Sequence, residues 1–195
     1  MNEHVKPYHK DGEGKKEEVE QMFDNIAHRY DFLNHLLSAG IDRLWRKKAI
    51  KHIEGYNPKC IMDMATGTGD FAFDAANMLE LDKIVALDLS EEMLAIGRKK
   101  MKKNSHNIIE FVKGDSEKLN YESNSFDAMT AGFGVRNFEN LEKGLREMYR
   151  VLKPGAPLVI LEVSQPDNKF LKAIFSVYFK GCLLYTSPSP RDPIG

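Results

Sequence analysis

Ile61-Met62-Asp63-Met64-Ala65-Thr66-Gly67-Thr68-Gly69-Asp70, running on into Phe71-Ala72-Phe73-Asp74-Ala75-Ala76, is the stretch whose reading decides the fold. It is a short apolar run holding an acid, then a glycine-containing turn, then the start of a helical pattern, which predicts a strand, a tight turn and a helix. Glycine at 67 and 69 permits backbone angles that other residues resist, and removes side chains that would hold a ligand away from the main chain. The helix N-terminus behind the turn offers unpaired N–H groups to a polar or anionic group. A turn of this kind also closes strand-helix corners that bind nothing, so the stretch alone does not choose a ligand.

Working downstream, apolar runs and helical patterns alternate. Strands are expected at Cys60–Met64, Lys83–Asp88, 108–112, 126–131 and 157–163, with helices from Asp70, over 91–101 and over 141–152. Apolar strands of this length separated by helices predict an α/β fold, a Rossmann-like and mostly parallel sheet covered on both faces. Ligands of such sheets bind at the carboxyl ends of the strands. Asp63, Asp88, Asp115 and Gly132-Phe133-Gly134 all fall there.

Upstream, residues 1–15 are polar, hold Pro7, Gly12 and Gly14, and are expected to be disordered. Residues 16–55 read as a helical cap. Val19, Met22, Phe23, Ile26 and Tyr30 recur at helical spacing, and Glu17, Glu18 and Glu20 lie where the helix dipole favours acids. A second short helix is expected over 32–37 and, after Gly40, a third from Asp42, whose side chain is expected to cap it.

Composition excludes several classes. Lys and Arg (28) almost cancel Asp and Glu (29), so polyanions gain no general attraction and a nucleic-acid partner is not expected. No apolar run approaches a membrane span and Met1-Asn2-Glu3-His4-Val5-Lys6 has no hydrophobic signal core, so a soluble cytoplasmic protein is expected. Cys60 and Cys182 lie far apart without Cys or His at ligand spacing, and the histidines are scattered, so neither a disulfide nor a metal site is expected.

Two nucleotide ligands compete for the glycine loop. The run 67–72 satisfies G-x-G-x-x-G/A, and Asp88 follows about twenty residues later, as in a dinucleotide site. An NAD(P)-binding oxidoreductase is therefore the rival reading. Against it, Asp63 stands four residues before Gly67, a longer acidic loop than the dinucleotide turn needs. Gly114-Asp115-Ser116 supplies a further acceptor suited to an adenine amino group, and Val151-Leu152-Lys153-Pro154-Gly155 leads straight into the fifth strand.

Taken together, the acidic strand end, the glycine loop and the two later aspartates resemble the class I methyltransferases that use S-adenosylmethionine. The resemblance implies that Asp63, Gly67, Thr68, Gly69, Asp88, Asp115 and Ser116 bind that cofactor. Gly67 and Gly69 would admit its methionyl part, and Thr68 adds a hydroxyl. Asp88 would accept from the ribose hydroxyls, and Asp115 from the adenine amino group beside the Ser116 backbone.

Three further segments are similar to the ubiquinone/menaquinone biosynthesis C-methyltransferases, of the demethylmenaquinone type. They are Tyr30-Asp31-Phe32-Leu33-Asn34-His35-Leu36-Leu37-Ser38 with Trp45-Arg46, Gly132-Phe133-Gly134-Val135-Arg136-Asn137, and Arg150-Val151-Leu152-Lys153-Pro154-Gly155 with Glu162-Val163-Ser164. The resemblance covers 19–166, with departures at Asp42, at Ala65 or Thr66, and at Ala156. Thr130-Ala131-Gly132-Phe133-Gly134 lacks the Asn/Asp-Pro-Pro-aromatic motif of amino-group methyltransferases, which argues against N-methylation of nucleic acid.

The resemblance implies a domain at 56–166 that binds the cofactor, and methyl transfer to a ring carbon of a polyprenylated demethylquinol. Demethylmenaquinol is favoured because position 42 is not histidine. Arg136 is the leading catalytic candidate as a fixed charge beside a developing phenolate, with Tyr30 assisting; Asn34 and Phe133 would position the ring. Phe23, Phe32, Leu36, Leu37 and Trp45 suit an apolar channel and plain core packing equally well. Residues 167–180 read as an amphipathic helix able to touch a membrane surface peripherally. After Lys180 the resemblance stops, and 181–195 read as a disordered, non-native tail on a truncated chain. That leaves the fifth strand as an apolar edge, with a fragment that binds cofactor without turnover as the alternative, and with a homodimer left open.

Overall fold

The computed structural model describes residues 14–37, 40–104 and 107–162, the side chains of 29–37 and 104 excepted. The strands are β1 (Cys60–Met64), β2 (Lys83–Asp88), β3 (Ile109–Lys113), β4 (Ala128–Gly132) and β5 (Leu158–Leu161), and the helices α1 (Lys15–Leu37), α2 (Ile41–Glu54), α3 (Asp70–Met78), α4 (Glu91–Asn104) and α5 (Leu141–Val151). All pairs are parallel, in the order β3-β2-β1-β4-β5. Chain order reverses at β1, whose Met64 lies between Leu87 of β2 and Ala131 of β4. Such a reversal opens a crevice at the carboxyl ends of the strands.

Strand side chains alternate between two buried layers, which is why the strands read as continuous apolar runs. Ile61, Ile84, Ala86, Ile109 and Phe111 join Ile50 and Ile53 of α2 and Phe71 and Ala72 of α3. Met62, Met64, Val85, Leu87 and Met129 join Met148 and Val151 of α5 on the other face.

The sequence reading is corrected in three places. The separate helix at 32–37 does not exist, because α1 continues through Leu37 with no glycine or proline to stop it. Asp42 is not a cap: α2 begins at Gly40 in the left-handed region (φ 75°), and the buried Asp42 carboxylate accepts from Arg46 at 2.6 Å. The fourth strand begins at Ala128, since Asp127 turns its carboxylate to the Lys59 and Cys60 amides at 2.9 and 2.8 Å. Among the described residues β5 ends the sheet on one side, and its Leu158 and Ile160 are exposed. Of the regions expected at 1–15, 167–180 and 181–195, only Gly14 and Lys15 are among the described residues, and Lys15 already belongs to α1 rather than to a disordered terminus. Among those residues no cluster of ligands could hold a metal, and no helix is long and apolar enough to cross a membrane.

Candidate active site

The loop after β1 coils through left-handed backbone at Ala65 (φ 52°), Gly67 (φ 57°) and Gly69 (φ 86°). Asp63 sits beneath it, 1% exposed, accepting from the Thr66 hydroxyl through Oδ2 and from the Thr130 hydroxyl, 2.7 Å away, through Oδ1. Burial pushes the Asp63 pKa up to about 6 against those two hydroxyls, and the nearby charge of Asp88 pushes the same way. Asp63 thus braces the loop from below. It carries one hydroxyl on each carboxylate oxygen and does not line the cleft over the strand ends.

The other braces come from every side. Thr66 N–H donates to Leu87 O at 3.0 Å, and Gly67 N–H to Asp88 Oδ2 at 2.7 Å. Lys100 of α4 donates to the Thr68 hydroxyl at 2.8 Å and to Asp70 at 2.9 Å, and Thr68 is buried and does not line the cleft. A Cβ on Gly69 would meet the Phe111 ring at 2.6 Å, so this position needs glycine for both its angles and its packing. A Cβ on Gly134 would collide with that of Ala65, which shows how closely the exit of β4 presses on the loop.

A cleft open to solvent lies over the strand ends, its empty space of about 730 Å³ reaching out into bulk water. Of the expected residues, Gly67, Asp88, Asp115, Ser116 and Phe133 line it, and Lys16, Val19, Glu20 and Phe23 of α1 close one side. Asp88 accepts from Gly67 N–H and, at 2.9 Å, from Ser90 N–H. Burial raises its pKa, and those amides oppose the rise. Its oxygens keep further lone pairs for a pair of hydroxyls. Asp115 accepts from the Glu117 amide and from Lys16, both at 2.8 Å. Burial pushes its carboxyl up, but the Lys16 ammonium and that amide outweigh it and hold it below the usual range.

Phe133 takes left-handed backbone (φ 59°) without being glycine, held by its N–H to Leu161 O at 2.7 Å; its ring lies 6.5 Å from that of Trp45. Strain of this kind persists only where the surroundings enforce it. Arg136 stands apart from the cleft wall: its guanidinium is over half exposed and pairs with Glu162 at 2.8 Å. Tyr30 and Asn34 lie on α1, their side chains outside the described residues.

Sequence reasoning missed Lys16, Lys100, Thr130 and Ser90. Ser90 alone left a signal, a serine just before a helix, and its hydroxyl indeed caps α4 at Met93 N–H while donating to Asp24 of α1.

A parallel sheet in this order, with a left-handed loop after β1 and acceptors at the ends of β2 and β3, is a Rossmann-like nucleotide-binding frame. The family the chain belongs to decides for a class I methyltransferase using S-adenosylmethionine over a dinucleotide enzyme. The sequence pattern of the ubiE/COQ5 methyltransferase family matches residues 11–186, and the chain belongs to that family. The demethylmenaquinone methyltransferase of Bacteroides fragilis is 52% identical over 179 residues, 91% of this chain and 73% of that protein. That of Porphyromonas gingivalis is 48% identical over 166 residues, 84% of this chain and 68% of its own. The structure of a putative S-adenosyl-L-methionine-dependent methyltransferase from Methanococcus maripaludis shares the fold, with a TM-score of 0.62 and 24% identity over 89% of this chain and 75% of that one.

Proposed function

We propose that the chain moves the methyl group of S-adenosylmethionine to a ring carbon of a prenylated demethylquinol, demethylmenaquinol before a benzoquinol. One observation carries the reading: the glycine loop and Asp88 share a cleft with Phe133, in a chain 52% identical to a demethylmenaquinone methyltransferase. The cofactor's chemical needs fit the donors and acceptors present. Left-handed Gly67 bares main chain, Asp88 accepts from ribose hydroxyls, and Asp115 with Ser116 accepts from the adenine amino group. Asp63, Thr68 and Gly69 keep the loop in shape rather than touching the ligand.

When bound, the cofactor supplies an electrophilic methyl on a sulfonium. The protein must make the ring carbon nucleophilic, which requires the ring hydroxyl to lose its proton. A phenol titrates near about 10, so the site has to favour the phenolate. Arg136, a permanent cation that stands outside the cleft wall next to cleft-lining Asn137 and is held by Glu162, is the charge assigned to that oxyanion, reaching it only when the bound ring extends toward the β4 exit. Tyr30, Asn34 and Phe133 position the ring and exclude bulk water.

The test is incubation with methyl-labelled cofactor and short-chain demethylnaphthoquinol or benzoquinol. Label on the naphthoquinol ring carbon is expected. Preference for the benzoquinol would overturn the head-group assignment. Label on neither, with S-adenosylhomocysteine still bound, would leave a cofactor-binding chain without turnover.

A further inference from the structure

We propose that the solvent face of α2 docks on an anionic lipid surface. Leu44, Lys47, Lys48 and Lys51 stand at i, i+3, i+4 and i+7, so they share one helix face, and all four are exposed. Leu44 is 66% exposed, and beside it Ile41 and Trp45 are 44% and 41% exposed. The opposite stripe, Ala49, Ile50 and Ile53, is buried in the core. Three large apolar side chains within the first turn or so of a surface helix, set among lysines, are the composition of an interfacial helix.

Charge points the same way. The exposed charges of α2 are Arg43, Lys47, Lys48 and Lys51 against Glu54, in a chain whose net charge is −1. Arg46 does not add to this surface, being buried against Asp42 and Asp74. A local basic patch on a nearly neutral protein draws it to anionic headgroups. A nucleic acid would use the cations and leave Leu44 in water. A bilayer interface takes both, with amines at headgroup level and Ile41, Leu44 and Trp45 at the acyl boundary.

The face also adjoins the site, since Trp45 lies against Phe133, which lines the cleft. Its use, handing a membrane-dissolved prenylated ring to the cleft, rests on the proposed substrate; the docking itself does not.

Trp45 is the chain's one tryptophan, so its emission reports this face. The full chain is sedimented with vesicles of phosphatidylglycerol and phosphatidylcholine, beside pure phosphatidylcholine. Expected are binding to the anionic vesicles alone, loss at high salt, a blue shift of emission, and quenching by brominated acyl chains. Leu44→Asp with Lys48→Glu should weaken vesicle binding at least about tenfold while S-adenosylhomocysteine still binds. Absence of vesicle binding, binding with unchanged emission, or a double variant that binds as wild type would each overturn the proposal. So would a blue shift that follows protein concentration without vesicles, which would assign the face to a second copy. Methylation of a short-chain quinol in free solution separates the two readings. If it proceeds while vesicle binding fails, docking alone falls; if vesicles bind and no quinol is methylated, the substrate assignment alone falls.

Discussion

The Lys16 ammonium lies 2.8 Å from Oδ2 of Asp115, so a cation from the first turn of α1 rests on the acceptor at the end of β3. The same ammonium is 3.1 Å from Glu117. With Glu20 to Lys113 at 2.7 Å and Asp24 to Ser90, these contacts lay α1 along the cleft mouth.

Asp115→Asn should therefore weaken S-adenosylhomocysteine binding by about tenfold, the scale of a hydrogen bond to a charged group. Stability should fall by less than about 1 kcal/mol, because the ion pair is part-exposed. Titration calorimetry and thermal unfolding read the two effects separately. In the wild type S-adenosylhomocysteine should raise the melting temperature and NADH should not.

The pH dependence of stability has a component with a definite sign. The folded Asp63 pKa, about 6, lies above the ordinary carboxylate value of 3.8. The folded state therefore holds this proton more tightly than the unfolded state, and the stabilisation is complete below 3.8 and lost as pH rises through about 6. Asp63→Asn removes the titration. Relative to the variant, the wild type should lose on the order of 2–3 kcal/mol between acid and neutral pH. Urea denaturation of both proteins at several pH values checks this, and a constant difference would contradict it.

Ala65 occupies left-handed backbone where the resemblance would have placed glycine at 65 or 66. Ala65→Gly should stabilise the fold by about 1 kcal/mol. Gly134→Ala has ordinary backbone angles (φ −106°) and instead pushes on Ala65. It should cost cofactor affinity more than about tenfold, through a displaced loop, with a stability loss of roughly 1–3 kcal/mol. The pair Ala65→Gly/Gly134→Ala should recover part of the affinity, since the colliding methyl is gone.

Arg136→Ala should lower kcat by about 100-fold or more if its charge stabilises the ring oxyanion, with S-adenosylhomocysteine affinity within about twofold of wild type. Loss of cofactor affinity instead would assign the Arg136–Glu162 pair to structure. Because that pair is surface-exposed, stability should hardly change in either case.

The sheet could be read from sequence because its determinants are local: apolar runs of strand length, a glycine turn and helical periodicity each sit within about ten residues. What escaped depended on partners far along the chain. Asp42 looked like a cap until Arg46, itself drawn to Asp74 of α3, claimed it. Asp63 was placed correctly at a strand end, but its direction is set by Thr130, 67 residues away on β4. Phe126 suited a strand, yet Asp127 next to it bonds across to β1. Lys16 and Lys100 are lysines among many, and only the fold distinguishes them.

The left-handed loop at 65–69 has a bearing on how such an enzyme can be remade. Its shape is written in backbone angles and in glycines that admit no methyl, so it should resist substitution as strongly as the buried strands, although part of it faces the cleft. The opposite wall is built from side chains of α1, Val19, Glu20 and Phe23, on a regular helix whose backbone needs no special angles at those positions. Variation aimed at a new acceptor molecule belongs on that wall, where a library can diversify recognition while the part that holds the methyl donor stays fixed.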